Sequence, residues 1–311
     1  MLPTLDRFRP ILEGHGVEVV TVDVRERLSE EELLPIVGDL DGAICGDDRF
    51  TRRVLEAAPR LKVISKWGTG IDSIDRAAAA ARGVVVCNTP GAFSDPVADT
   101  TLGYILCFAR GLVDMTAAMR AGRWSKAPGI ALNEATVGIV GVGCAGRAVA
   151  RRARAFGTTI LGTDPVRPPE AFIAETGIEL TDLETLLARA DFVTLHCDLN
   201  PTSVHIMNAA AFARMRPDTV LINTARGPLV DEPALIEALR SRRLGGAALD
   251  VFEVEPLPID SPLLAMPNVL LAAHNANASP AAWERVHWST LANLFRVLAG
   301  SVPAAVAERR A

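Results

Sequence analysis

Residues Thr136 to Ala150 read TVGIVGVGCAGRAVA, and this stretch decides the fold. The apolar run around Gly138 predicts a buried strand, the glycines at 141, 143 and 146 predict a tight turn, and Arg147 onward predicts a helix. A G-x-G-x-x-G run between strand and helix is the phosphate loop of a dinucleotide-binding unit. Gly141 permits the sharp turn, Gly143 lets backbone approach a pyrophosphate, and Gly146 lets the helix sit close to its strand. The N–H groups of the first helical turn, at Cys144 and Ala145, then face the phosphates.

The next predicted strand, Thr159 to Gly162, leads to Asp164, eighteen residues after Gly146. A carboxylate there accepts hydrogen bonds from adenosine ribose hydroxyls, so Asp164 favours NAD over NADP as cofactor. Arg167 lies close enough in sequence to meet a 2′-phosphate, so the preference is not absolute.

Outward from this unit the pattern repeats. Phe192 to Leu195, Val220 to Asn223, Gly246 to Leu249 and Val269 to Ala272 bring the second series to six strand candidates. In the first ninety residues, Val17 to Val22, Gly42 to Cys45, Leu61 to Ser65 and Val84 to Cys87 alternate with helical stretches at Glu30 to Val37, Thr51 to Ala58 and Ile74 to Arg82. Both series have parallel α/β patterning. A long helix is expected from Ser94-Asp95-Pro96, capped by Ser or Asp, to about Arg120, with Gly122 ending it. Pro280 to Leu298 is helical again, with Trp283, Val286, Leu291, Leu294 and Val297 mostly at three- and four-residue spacing. Because the second series already holds six strands, this last helix is assigned back to the first domain. The expected domains are therefore 1–98 with 282–311, and 99–281 inserted between them.

The 311 residues are enough for two packed cores, and 49% hydrophobic with 22% charged residues is an ordinary globular balance. A formal net charge of −5 supplies no field for gathering nucleic acid or an anionic membrane, which points to a small-molecule partner. Cys45, Cys87, Cys107, Cys144 and Cys197 form no C-x-x-C pair and read as reduced thiols of a cytoplasmic protein. No uninterrupted stretch approaches the ~18 apolar residues of a membrane span. Arg147, Arg151 and Arg154 share one helical face and read as a solvated face in preference to a polyanion site.

Polar residues cluster at the ends of later strands, in Asn223-Thr-Ala-Arg-Gly227, Leu249-Asp-Val-Phe-Glu-Val-Glu-Pro256 and Ala272-Ala-His-Asn275. In an open α/β sheet these ends border the ligand crevice. Arginine offers a planar fork to an anionic ligand, and histidine is suited to proton exchange near neutral pH. With the glycine loop, these motifs fall in one order, and from about Leu61 to Ser279 the chain resembles the NAD-dependent D-2-hydroxyacid dehydrogenase family, in its short phosphoglycerate-dehydrogenase-like branch.

That resemblance implies an α/β fold of two doubly wound parallel-sheet domains, a Rossmann cofactor domain inserted in a flavodoxin-like substrate domain. It implies that Arg226 binds substrate, that His274 exchanges the proton and that Glu255 is the carboxylate partner of His274. It places Asp250 on the nicotinamide carboxamide, Thr224 and Ala225 along the cofactor, Thr101 near its phosphates, His196 on the adenine side and Ala276 beside the nicotinamide. It places the backbone N–H groups of Thr69 and Gly70 on the substrate carboxylate and gives Lys66 an anionic substrate to meet. His15, His205 and His287 show no carboxylate partner in the sequence. No metal is implied.

Two departures stand out: Cys144 where the family often has arginine, and Ala276 where it usually has glycine. Arg147 compensates for the first only if its side chain folds back over the helix start. The expected activity is hydride transfer between NAD(H) and a small D-2-hydroxy or 2-oxo acid, 3-phosphoglycerate among them, by a homodimer. The alternatives are a hydroxypyruvate or glyoxylate reductase, a sugar-acid dehydrogenase, or a non-catalytic NADH-sensing protein like the corepressors that resemble this family.

Overall fold

The computed structural model describes residues 1–301; the part of the expected substrate domain at 302–311 lies outside the described residues. The chain divides into two compact units, one of Met1–Ala92 with the segment from Ser279 onward, the other Phe93–Ala278.

In the first unit α1 (Leu5–Gly14) and α2 (Glu30–Leu33) precede β1 (Gly42–Cys45), α3 (Arg52–Glu56), β2 (Val63–Lys66), α4 (Arg76–Ala81) and β3 (Val85–Cys87). The three strands form one parallel sheet in the order β1-β2-β3. Thr51 and Asp75 cap α3 and α4 by accepting N–H bonds from Val54 and Ala78, which starts both helices within two residues of expectation. Side chains alternate across β2: Ile64 joins Val54, Leu55 and Ala78 on one face, while Val63 joins Phe8, Leu291 and Leu294 on the other. The helix Pro280–Leu298 thus covers the second face together with α1. Val17 to Val22, expected as a strand, pairs with no neighbour; Val17 and Val19 pack beside Phe8, and Val22 beside Leu28 and Leu33. Its β-branched residues are used for packing without a ladder.

In the second unit the expected long helix is two, α5 (Ser94–Arg110) and α6 (Leu112–Arg120), broken at Gly111, which takes φ +59°. Phe93 precedes α5 without a side-chain cap; Pro96 lies in the first turn, but neither Ser94 nor Asp95 caps the helix. There follow β4 (Thr136–Val140), α7 (Cys144–Ala155), β5 (Thr159–Thr163), α8 (Glu170–Thr176), β6 (Glu179–Leu180), α9 (Leu183–Arg189), β7 (Phe192–Leu195), α10 (Ala209–Arg214), β8 (Val220–Asn223), α11 (Glu232–Arg240), β9 (Gly246–Leu249) and β10 (Val269–Leu271). They form a seven-stranded parallel sheet in the order β10-β9-β8-β7-β4-β5-β6. The strand missed from sequence is β6, two residues long and too short for any periodicity.

The chain runs outward from β4 in both directions, so the order reverses between β4 and β7. Loops at the carboxyl ends of these two strands bound the crevice where doubly wound sheets take ligands. Two cores sandwich this sheet. Val137, Ile139, Ile160 and Ile222 face α5 and α7, and Val140, Leu161, Leu195 and Leu221 face the side of Leu186, Phe212 and Leu235. Among the described residues no single helix is long and apolar enough to cross a membrane.

Candidate active site

The phosphate loop leaves β4 at Gly141, whose φ of +93° is the left-handed conformation a sharp turn needs. A Cβ there would come within 2.7 Å of the Cys197 backbone, so the loop lies against the end of β7. A Cβ on Gly146 would fall on the Gly141 carbonyl oxygen, which is why α7 closes so tightly on its strand. Over Gly143 the space is open. Gly143 provides no side-chain cap for α7, and among the described residues the N–H groups of Gly143, Cys144 and Ala145 have no internal acceptor. Open space over a glycine, beside orphaned donors at the positive end of a twelve-residue helix, fits a pyrophosphate.

Asp164, just past β5, fixes this loop: its carboxylate accepts from Val142 N and from Val166 N, both at 2.7 Å. Arg167 is turned away onto Glu170 at 2.8 Å, with both side chains largely exposed. Arg147 does fold back over the helix start, its Nε donating to the Val142 carbonyl at 2.9 Å. Arg151 pairs with Glu175, and Arg152 with Asp95 and Asp99 of α5, so part of the basic face of α7 is already neutralised. Cys144, at the first position of α7, is exposed.

His196 follows β7 and lies beside Gly141. Burial pushes its pKa down to about 4, so it is neutral at physiological pH, and its Nε2 is buried without a partner among the described residues. Thr101 lies in the second turn of α5 and is fully buried; its hydroxyl donates to the Val97 carbonyl and lies 3.2 Å from the Thr224 hydroxyl. It therefore does not cap the helix, and two residues expected along the cofactor lie in contact with each other. Ala225 follows, its N–H held by the Asn223 side chain.

The residues expected to carry the chemistry follow the ends of β8, β9 and β10. Asn223 accepts from Ala225 N and donates to the Arg226 carbonyl, shaping the loop that presents Arg226, and one guanidinium nitrogen donates to the Ala225 carbonyl at 3.0 Å. Gly227 lets this loop close on its neighbour: a Cβ there would fall on the Phe252 carbonyl and lie 2.5 Å from Glu253 N. The same Phe252 donates its N–H to Glu255 at 3.0 Å, and the other Glu255 oxygen meets His274 Nδ1 at 3.0 Å. Both side chains are mostly buried, so the pair is shielded from solvent.

His274 takes φ +48°, a strained backbone for a non-glycine residue, and Asp250 holds it there. The Asp250 carbonyl accepts from His274 N at 2.7 Å, and its two carboxylate oxygens accept from Asn275 N and Ala276 N at 2.9 Å each. Asp250 is 1% exposed, so the carboxylate expected on the nicotinamide carboxamide is first the clamp of the histidine turn. Ala276 is buried under this clamp, its carbonyl accepting from the Thr100 hydroxyl.

In the first unit, Lys66 is the last residue of β2; it is 2% exposed, and its ammonium is bound to the Gly46 carbonyl and to Asp47 at 2.7 Å. A buried ammonium requires a carboxylate, and Asp47 supplies it, so no free cation is presented there. Thr69 and Gly70 follow Gly68, which takes φ +134°. Their N–H groups have no internal acceptor among the described residues.

Two histidines have partners that sequence reasoning missed. His205 Nε2 meets Glu253 at 2.6 Å, and His287 Nδ1 accepts from the Trp67 indole at 2.8 Å. Neither partner is near in sequence, so no local signal marks them; Glu253, within the strand-end cluster, was the only hint.

Residues 102–276 match the family model described as D-isomer specific 2-hydroxyacid dehydrogenase, NAD binding domain. The chain is 40% identical over 288 residues to a glyoxylate reductase of Thermofilum pendens, covering 90% of this chain and 85% of that protein. The chain belongs to the D-isomer-specific 2-hydroxyacid dehydrogenase family. It is also 40% identical over 290 residues to a D-3-phosphoglycerate dehydrogenase of Methanocaldococcus jannaschii, covering 92% of this chain and 55% of that protein. The chain thus spans about half the length of that dehydrogenase. A D-lactate dehydrogenase from Aquifex aeolicus, solved with NAD and lactic acid, superposes with a TM-score of 0.87 at 26% identity, over 96% of this chain and 93% of that one. As a member of this family the protein is an NAD-dependent 2-hydroxyacid oxidoreductase.

Proposed function

We propose that the protein reduces a small, unphosphorylated 2-oxo acid to the D-2-hydroxy acid, and runs the reverse oxidation, with Arg226, Glu255 and His274 as its chemical residues. The observation that carries this is the Glu255–His274 pair at 3.0 Å, on a segment against which the Arg226 loop is seated at Gly227. NADH, when bound, supplies the hydride to C2. The Arg226 guanidinium holds the substrate carboxylate and polarises the 2-oxo group, so charge developing on that oxygen meets a fixed cation. His274 gives the proton from Nε2 to the same oxygen, while Glu255 keeps Nδ1–H in place and stabilises the imidazolium. The N–H groups of Thr69 and Gly70, which have no internal acceptor among the described residues, are suited to the substrate carboxylate.

Neutralisation of Lys66 by Asp47 favours an unphosphorylated acid such as glyoxylate or hydroxypyruvate, because the basic residue expected to serve a second anionic group is already paired. The likeness to a D-3-phosphoglycerate dehydrogenase supports 3-phosphohydroxypyruvate as the second reading. The Gly143–Ala145 N–H groups and Asp164 are proposed to bind the pyrophosphate and adenosine ribose of NAD, with His196, Thr224 and Ala225 along the cofactor and Thr101 and Asp250 supporting its walls.

A homodimer is also proposed, supported by the apolar exposure of Leu112, Val113 and Met119 on α6 and of Trp124 beyond it, the last 80% exposed. A cytoplasmic location is proposed from five free cysteines. NADH oxidation against glyoxylate, hydroxypyruvate, 3-phosphohydroxypyruvate and pyruvate, with NADPH in parallel, tests the substrate. A kcat/KM for hydroxypyruvate or glyoxylate at least tenfold above the phosphorylated acid is expected. The reverse order would move the assignment to 3-phosphoglycerate, and NADH binding without any turnover would leave a sensor.

A further inference from the structure

The loop that carries Thr69 and Gly70 is gripped by one helix through two side chains. Asn293 of Pro280–Leu298 donates to the Asn88 carbonyl at 3.2 Å, and Asn88 in turn donates to the Thr69 carbonyl at 2.7 Å. His287 of the same helix accepts the Trp67 indole N–H at 2.8 Å, one residue before Gly68. The backbone of the loop is tied elsewhere, Trp67 N to the Cys45 carbonyl and Thr89 N to the Gly68 carbonyl, both at 2.9 Å. The indole contact differs from these ties in that its acceptor titrates.

An imidazole that accepts at Nδ1 must carry its proton on Nε2, since a protonated ring has two donors and no acceptor. His287 is 6% exposed, with the Phe8 ring edge-on at 5.4 Å and the Trp67 ring at 5.6 Å. The charged groups around it are the Met1 amino terminus, Arg7 and Glu284. Glu284 is taken by Arg7 at 2.5 and 2.7 Å and by the Trp288 indole, and Lys66, beside Trp67, is taken by Asp47. No carboxylate is left over for the imidazolium among the described residues named here. Burial, then the Met1 ammonium, lowers the His287 pKa against the opposing pull of Glu284, so the accepting form persists below pH 6.5.

We propose that His287 is a positioning residue for substrate binding: as neutral imidazole it holds the Trp67 indole and so sets the Thr69 and Gly70 amides, and its protonation releases them. The inference rests on the proposed binding of the substrate carboxylate by those two amides.

The test uses the full chain. With ¹⁵N-labelled indoles, assigned by Trp67→Phe, the Trp67 N–H resonance should lie downfield at neutral pH and move upfield as pH falls below 6.5. His287→Phe should show the released position at every pH. His287→Asn, whose amide oxygen replaces Nδ1 as acceptor, should keep the bonded position without titrating. Loss of one such bond is worth about a fivefold rise in KM for the 2-oxo acid, with kcat and the Kd for NADH changed by less than about twofold. His287→Asn should bring KM back to within about twofold of wild type, which a role in packing alone would not require. Should His287→Phe fail to fold, the wild-type and His287→Asn titrations decide the matter between them. An indole resonance that does not titrate in wild type, or an unchanged KM in a folded His287→Phe enzyme of active wild type, overturns the inference alone. A wild type that turns over no 2-oxo acid removes the proposed function and this inference with it.

Discussion

Replacing Gly227 with alanine tests whether the seating of one loop on another sets catalysis. The Cβ would fall on the Phe252 carbonyl and lie 2.5 Å from Glu253 N, where ordinary contact begins at 3.4 Å. Both obstacles are backbone, so no side-chain rotation relieves them, and the Arg226 loop must withdraw from the Phe252–Glu255 segment. The Glu253 contact alone demands roughly 0.9 Å, and a misplacement of about 1 Å at a reacting centre costs on the order of a hundredfold in rate. Overpacking of this kind costs a further ~1–3 kcal/mol of stability, which a folded domain of this size tolerates. The expected outcome is a folded Gly227→Ala protein whose kcat/KM for the 2-oxo acid falls about a hundredfold while its Kd for NADH, read by fluorescence quenching, stays near wild type. The phosphate loop lies at another strand end and is not pushed by this change. A variant with wild-type kcat/KM would refute the claim that Arg226 must be held against the Glu255 segment, and one that loses NADH binding as well would show the damage to be general.

Three further outcomes follow from the same geometry. His274→Ala should lower kcat by about 10²–10⁴-fold and leave NADH affinity unchanged in the same fluorescence titration; retention of most of kcat would contradict its role in proton transfer. Asp164→Ala leaves Val142 N and Val166 N without their acceptor, each loss worth ~1 kcal/mol or more, so thermal denaturation should show a lower Tm and NADH titration a weaker Kd; an unaltered Kd would separate Asp164 from the cofactor. Burial pushes the Cys45 thiol up to about 12 and those of Cys87 and Cys197 up to about 11, so they stay protonated and unreactive until the pH rises toward those values. Mass spectrometry after alkylation near pH 8 should therefore find Cys144 modified ahead of these three, and NAD should slow its modification; an unchanged rate with saturating NAD would place the pyrophosphate elsewhere.

Much of the second unit was legible because its signals are local. The glycines of the phosphate loop and the apolar runs of β4, β5 and β7 to β10 carry their meaning within a few residues, and Asp164 is found by counting from the loop. The order of Arg226, Glu255 and His274 along the chain was readable, and the structure brings the last two to 3.0 Å. What was not readable depends on partners distant in sequence. The tie of Lys66 to Gly46 and Asp47, about twenty residues earlier, and the closing of the Asn275 and Ala276 amides, 25 and 26 residues later, on the Asp250 oxygens have no local signal. Val17 to Val22 has the side chains of a strand, but pairing needs an available sheet edge, which composition cannot report. Gly111 breaks an otherwise continuous helical pattern because its φ of +59° ends one helix and starts the next, whereas an isolated glycine in a helical run is often merely tolerated.

The reaction assigned to Arg226, Glu255 and His274 is tested most directly by chiral analysis of the acid formed when the protein oxidises NADH in the presence of pyruvate or hydroxypyruvate. A single D-2-hydroxy acid, formed one-for-one with NADH consumed and lost in His274→Ala, is the predicted result. An L product, a racemate, or NADH that binds without being consumed by any 2-oxo acid would contradict it.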